Sequence, residues 1–215
     1  MDKDLVILKT ISFVREKLLD EGSGHDWYHI QRVHKMAKYL ATKENADLFI
    51  VEMTALLHDI EDWKFCKSNE SSTSITEEFL YSLNVDDISI KKITDIIKTM
   101  SFKGGVVNSY QCTIEGKVVQ DADRLDAIGA IGIARTFAYG GNKNNVLYDP
   151  TIPPNTFSSL DEVKNKKNHT INHFYEKLLK LKDLMNTDSA KSIAKRRHEY
   201  MESFLDEFYF EWNFE

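Results

Sequence analysis

Leu48-Phe-Ile-Val-Glu-Met-Thr-Ala-Leu-Leu-His-Asp-Ile-Glu-Asp62 is the stretch that decides how this chain folds. Its first ten residues are apolar except for Glu52 and Thr54. A run of that length without strand-like alternation predicts a helix, reaching from Leu48 to Ile60 and buried on most sides. His58 and Asp59 sit in its last part, so two polar groups enter the interior and need partners there. An imidazole and a carboxylate are also two ligands for a divalent ion. On a helix their side chains diverge by about 100°. One metal can therefore reach both only from the helix edge, with other helices completing its shell. A His-Asp dipeptide alone is weak evidence, and His25-Asp26 shows why. That pair follows Gly22-Ser-Gly24 and precedes a helical pattern, which makes Asp26 a helix cap.

Outward from this stretch the periodicity is helical nearly everywhere. Leu5, Leu8, Ile11, Val14 and Leu18 form the stripe of a first helix, and Ile30, Val33, Ala37 and Leu40 that of a second. Ile75, Phe79, Leu80 and Leu83 give a shorter helix; Ile93, Ile96, Ile97 and Met100 give the next. Val118 to Tyr139, rich in Ala, Gly and Ile, predicts a central helix closely approached by its neighbours. Residues 140–157 hold all three prolines and two glycines, which predicts a long loop. Such loops are commonly functional, and this one is expected either to cover a substrate or to join two helices. Ser158-Ser-Leu-Asp161 has capping-box-like spacing for a helix to about Met185. Thr187 or Asp188 can cap a last helix with Ile193, Tyr200, Phe204 and Phe208 on one face. Val106 to Ile114 is the one weakly extended stretch. The expectation is a single all-α domain over residues 1–215, interrupted by a loop rather than divided by it.

The chain has 215 residues and a formal charge of −6, with a pI near 5.7, which argues against a dedicated nucleic-acid surface. No apolar run approaches the roughly 18 residues of a membrane span. Met1-Asp-Lys-Asp4 lacks a signal-peptide pattern, and Cys66 and Cys112 lack CxxC spacing. A cytoplasmic protein with two reduced thiols is expected, and the aromatic residues of the last helix are core or homodimer contacts.

His29 with Arg32-Val33, then His58-Asp59, then Asp121-Ala-Asp-Arg-Leu-Asp126 follow one another over about residues 25–130. In this order of motifs the chain resembles the HD-domain metal-dependent phosphohydrolases. The resemblance implies a single HD-domain helical bundle, with helices at 158–212 packed on the motif-bearing core. It implies a metal held by His29, His58, Asp59 and Asp123, with Asp121 the alternative fourth ligand. Two imidazoles and two carboxylates suit Mn2+, Fe2+, Co2+, Ni2+ or Zn2+, and Mg2+ less well. No histidine lies between Asp59 and Asp123, where two-metal members take extra ligands, so one ion is expected. Asp123-Arg-Leu-Asp-Ala-Ile-Gly-Ala-Ile-Gly-Ile-Ala-Arg-Thr-Phe137, Tyr139-Gly-Gly141 and His173-Phe-Tyr-Glu-Lys-Leu178 are similar to a subgroup of small bacterial single-metal HD hydrolases.

What this implies is hydrolysis of a phosphate ester or phosphoanhydride, most favourably of a nucleotide, by metal-activated water. The different-class alternative is a catalytically silent module that binds metal or nucleotide for regulation. Glu61 and Asp62 are the candidate acid/base groups. Asp62 lies one turn after His58, and the resemblance favours it over Glu61. Arg124, Lys64, Lys103, His173 and Lys177 are the candidates for gripping phosphate. His169, His173 and Lys177 are spaced to share one helix face, which lacks the Glu of a zincin. Arg32 could pair with a ligand carboxylate. His34 and His198 read as structural.

Overall fold

Three aspartates set where the first three helices begin. Asp2 accepts the Leu5 amide at 3.1 Å to open α1 (Lys3–Leu18), and Asp26 accepts the His29 amide at 2.7 Å to open α2 (Trp27–Glu44). Asp47 accepts the amides of Phe49 and Ile50 at 3.0 and 3.4 Å to open α3 (Leu48–Leu57). Each cap supplies an acceptor to amides that have no partner within the helix, worth about 1 kcal/mol apiece. The computed structural model describes residues 2–19, 26–60, 73–100, 109–155 and 168–214. Further along come α4 (Ser74–Ser82), α5 (Asp87–Met100), α6 (Ile114–Asp126) and α7 (Gly129–Asn142). After them lie α8 (Asn172–Glu176), a 3₁₀ segment (Leu178–Leu184) and α9 (Asp188–Asn213). Among the described residues there is no strand, and the fold is all-α as the periodicity implies. No helix among them is long and apolar enough to cross a membrane.

Contacts divide the chain into two compact units, with the boundary between Ala122 and Asp123 inside α6. In the first unit, α3 packs against α1, α2 and α5, and every residue from Phe49 to Leu57 is buried. That is the outcome expected of the apolar run. The core is built from Ile30, Val33 and Leu40 of α2, Leu56 and Leu57 of α3, Leu80 of α4, and Ile93 and Ile97 of α5. The inward face of α1 differs from the predicted stripe. Val6, Thr10, Val14 and Leu18 are buried, whereas Leu5 and Leu8 are exposed. Thr10 tolerates the interior because its hydroxyl donates to the Val6 carbonyl at 2.9 Å.

The central helix predicted over Val118 to Tyr139 is two helices, and the division between the units falls inside the first of them. Ile128 is extended and Gly129 takes a left-handed φ of +78°, so α6 ends at Asp126 and α7 starts separately at Gly129. The side chain of Arg197, from α9, lies against Gly129 and donates to the Leu125 carbonyl at the end of α6. The helix predicted to run to Met185 is also broken: α8 is one short turn, and Lys177 (φ −136°, ψ −59°) separates it from the 3₁₀ segment. The capping box at Ser158–Asp161 lies outside the described residues. Thr187 caps α9, accepting the Ala190 amide at 3.4 Å. Ala190, Ala194, His198, Met201 and Leu205 form its inward face, which leaves Tyr200 exposed rather than packed.

The predicted loop starts later than position 140, because α7 continues to Asn142. Thr170 and Ile171 donate their amides to the carbonyls of Val146 and Leu147 at 3.0 and 3.1 Å, and the ring of Tyr148 meets those of His169, Phe208 and Trp212. The loop between Val146 and Asn155 is thus fastened to the segment beginning at Asn168.

Gly129 offers a direct test of the break. An L-residue there would hold a left-handed φ, and its Cβ would stand 3.0 Å from Arg197 Cγ. Gly129→Ala should lower stability by about 1–2 kcal/mol, a few degrees in Tm. Gly141→Ala, where an added Cβ meets nothing within 4 Å, should leave Tm unchanged or raise it slightly. Equal effects of the two changes in thermal unfolding would contradict this account.

Candidate metal centre

A helix buried on every side has to end, and α3 ends one residue before His58. The sequence reading carries the helix on to Ile60; the structure instead closes it with a turn over residues 58–60, in which the Ile60 amide donates to the Leu57 carbonyl at 3.1 Å. The physical reason is the way the last carbonyls are met. His58 Nδ1 lies 2.9 Å from the Ala55 carbonyl oxygen, which can only accept, so Nδ1 carries the proton. In the neutral ring the lone pair is then on Nε2. That nitrogen lies 3.5 Å from Asp59 Oδ1.

The other donor arrives from α2. His29 stands in the first turn, where Asp26 holds its amide, and its side chain is fully buried. His29 Nε2 is 3.3 Å from Asp59 Oδ2, and the His29 and His58 rings are 5.4 Å apart between centroids in an edge-on arrangement. One ligand atom from each of His29, His58 and Asp59 lies within 4.8 Å of the others. Separations of 3.3 and 3.5 Å exceed an ordinary hydrogen bond. They match neighbouring ligands each about 2.1 Å from a shared ion, which stand roughly 3.0–3.5 Å apart. Two imidazoles and a carboxylate, buried and converging, fit a divalent transition ion.

Three of the four expected ligands therefore come together in the first unit. Asp123 and Arg124 belong to the second, on the last turn of α6, with Asp123 half-buried and Arg124 buried. The Arg124 guanidinium donates to the Leu184 carbonyl, a contact over sixty residues of sequence that no local pattern announces. Asp126 pairs with Arg135 at 2.6 Å, and Asp121 is fully buried. Glu61, Asp62, Lys64 and Lys103 lie outside the described residues.

His173 and Lys177 are half-buried. The helical face expected of His169, His173 and Lys177 does not form, because α8 spans only Asn172–Glu176 and leaves His169 and Lys177 outside it. The His169 ring is buried, with Nε2 3.0 Å from the Ile152 carbonyl and Nδ1 accepting the Asn172 amide at 3.3 Å. His169 thus fastens the loop. His198 is buried, with its Nε2 3.2 Å from the Glu202 carboxylate one turn on.

Comparison with known proteins bears on the family and the fold. The family model of the HD domain matches residues 26–128. YpgQ of Bacillus subtilis is 42% identical over 195 residues, covering 90% of this chain and 87% of that protein. Its crystal structure in complex with ADP superposes with a TM-score of 0.75, covering 94% of this chain and 95% of that one at 39% identity. An HD-superfamily hydrolase from Bacillus thuringiensis is 51% identical, with a TM-score of 0.77 and 98% of both chains covered. A protein from Lactobacillus plantarum reaches a TM-score of 0.89 over 100% of both chains at 38% identity.

Elemental analysis tests the centre. After loading with Mn2+ and dialysis, the protein should retain about one equivalent, and His58→Ala or Asp59→Ala should lose it. Full retention by both variants would remove these residues from the metal shell.

Proposed function

The chain belongs to the HD-domain phosphohydrolase superfamily, and we propose that within it this protein hydrolyses a phosphate ester or phosphoanhydride of a nucleotide with one bound divalent ion, Mn2+ being a favoured candidate. The observation that carries the proposal is the buried convergence of His29, His58 and Asp59. Asp123 is proposed as the fourth ligand because it follows His29 and His58-Asp59 in the motif order inside the matched segment. The ADP complex of YpgQ supports a nucleotide as the substrate class. When bound, the ion would supply a Lewis acid for a phosphoryl oxygen and make a water molecule more acidic.

The protein's own groups do the rest. His58 keeps its donor nitrogen turned inward because its other nitrogen is held by Ala55. Asp59 brings a carboxylate oxygen to each histidine and offsets positive charge in a buried site. Asp62, four residues after His58, is proposed to hold or move the proton of the attacking water or the leaving group, with Glu61 the alternative. Arg124, Lys64, Lys103, His173 and Lys177 are the cations and donors proposed to meet the phosphate groups.

The experiment is a screen of the Mn2+-loaded protein against nucleoside mono-, di- and triphosphates, following release of phosphate or pyrophosphate. At least one class should turn over. Asp62→Asn should keep metal and fold while turnover drops by roughly 10²-fold, the scale of a lost acid/base group. Tight ADP binding without hydrolysis of any class would point to a regulatory module. Unchanged turnover in Asp62→Asn would move the proton-transfer role elsewhere.

A further inference from the structure

Glu52 is a carboxylate in the middle of the most apolar helix of the chain, 4% exposed and flanked by Val51 and Met53. Burying a charge in a helix interface is costly unless it is paired, and an apolar residue of similar size would fill the space without that cost. Glu52 is paired, twice, through one oxygen. His34 Nε2 lies 2.7 Å from Oε2 and Lys38 Nζ lies 3.0 Å from the same atom. His34 and Lys38 are four residues apart on one face of α2. Burial disfavours the charged imidazole, so a neutral His34 donates its Nε2 proton to the carboxylate. The ammonium of Lys38 is the countercharge.

The two helices joined in this way are α2, which carries His29, and α3, which leads directly into His58 and Asp59. His29 lies five residues before His34 on α2, and Asp59 lies seven residues after Glu52. Between the helices runs a short link, in which Asn45 takes a left-handed φ of 54° and the Ala46 amide donates to Ala41. The chain therefore doubles back, and the Glu52 contacts fall between this turn and the donor end of the hairpin. Apolar ridges between helices allow small slips; a carboxylate oxygen gripped by two donors does not. A slip of one residue is about 1.5 Å along a helix, whereas metal coordination discriminates on the scale of about 0.2 Å.

We infer that Glu52, held by His34 and Lys38, is a positioning residue that fixes the register of α2 against α3 and so sets the separation of His29 from His58 and Asp59. The inference rests on the metal-centre reading above, and it assigns Glu52 no contact with metal or substrate.

The test measures Mn2+ affinity by titration calorimetry alongside Tm, for the wild type, Glu52→Leu, Glu52→Gln and Leu80→Ala. Leu at position 52 fills the space but grips nothing, so Tm should stay within a few degrees while Kd for Mn2+ rises about 10-fold or more, the scale seen when supports of metal ligands are lost. Gln keeps the reach and one acceptor and should fall in between. Leu80→Ala, on α4, should lower Tm and leave Kd unchanged, which separates loss of register from loss of stability. Should Glu52→Leu fail to fold, the Gln variant carries the comparison. Wild-type Kd in both Glu52 variants would overturn the positioning role alone. Absence of Mn2+ binding by the wild type would overturn the metal centre itself, and the inference with it.

Discussion

The hydrogen bond from His58 Nδ1 to the Ala55 carbonyl does two things that are usually separate. It satisfies one of the carbonyls left without a partner at the end of a helix, and it selects the ring tautomer whose Nε2 can bind a metal. In an exposed helix water would meet that carbonyl and the ring could turn away. Here α3 is buried along its length, so the chain has to supply the donor itself. Termination of the core helix and preparation of a ligand are thus one event, and they explain why polar residues appear where the apolar run stops.

The same economy recurs at the other donor. Asp26 accepts the backbone amide of His29, so the cap that starts α2 also places the His29 side chain in the first turn, facing the end of α3. Two His-Asp dipeptides in one chain therefore have different work. In the first, the aspartate serves a helix terminus; in the second, both residues enter the converging cluster. The distinction lies in their surroundings: one pair follows glycines and precedes a helix, whereas the other closes an apolar run.

Those local contexts are why this part of the site was legible in the sequence. Caps, apolar runs and motif order depend on residues a few positions apart. What was not legible depends on distant partners. Thr10 reads as polar, so the apolar periodicity runs the face of α1 through Leu8, although a hydroxyl bonded to the preceding turn packs as an apolar group would. The break before Gly129 is held partly by Arg197, nearly seventy residues away, and within Val118 to Tyr139 a glycine at 129 is a weak signal of it beside the small apolar residues around it. Arg124 reads as a free cation beside a ligand, yet its guanidinium is bound to the Leu184 carbonyl. Glu52 is the hardest case, because a single charge in an apolar run looks like a small defect in the pattern until its partners on α2 are seen.

The loop after α7 shows how far a sequence signal can be right about place and silent about state. Proline and glycine content located it, but its fastening comes from elsewhere. Glu176, buried on α8, accepts the Asn155 amide at 2.9 Å through one carboxylate oxygen and the Asn168 side-chain amide at 2.7 Å through the other. Asn172 adds a bond of 3.0 Å to the Ile152 carbonyl, which His169 also meets. Any movement of residues 146–155 must therefore carry α8 with it or break these bonds. The residues from Asn142 to Asn145 have a different role: the Asn145 amide donates to the Gly140 carbonyl at 2.9 Å, with Asn144 left-handed at φ 56°, which closes the end of α7. Shortening the loop there would remove a helix cap, so a role in covering substrate has to be probed beyond it, between Val146 and Asn155, where the bonds to the following segment are made.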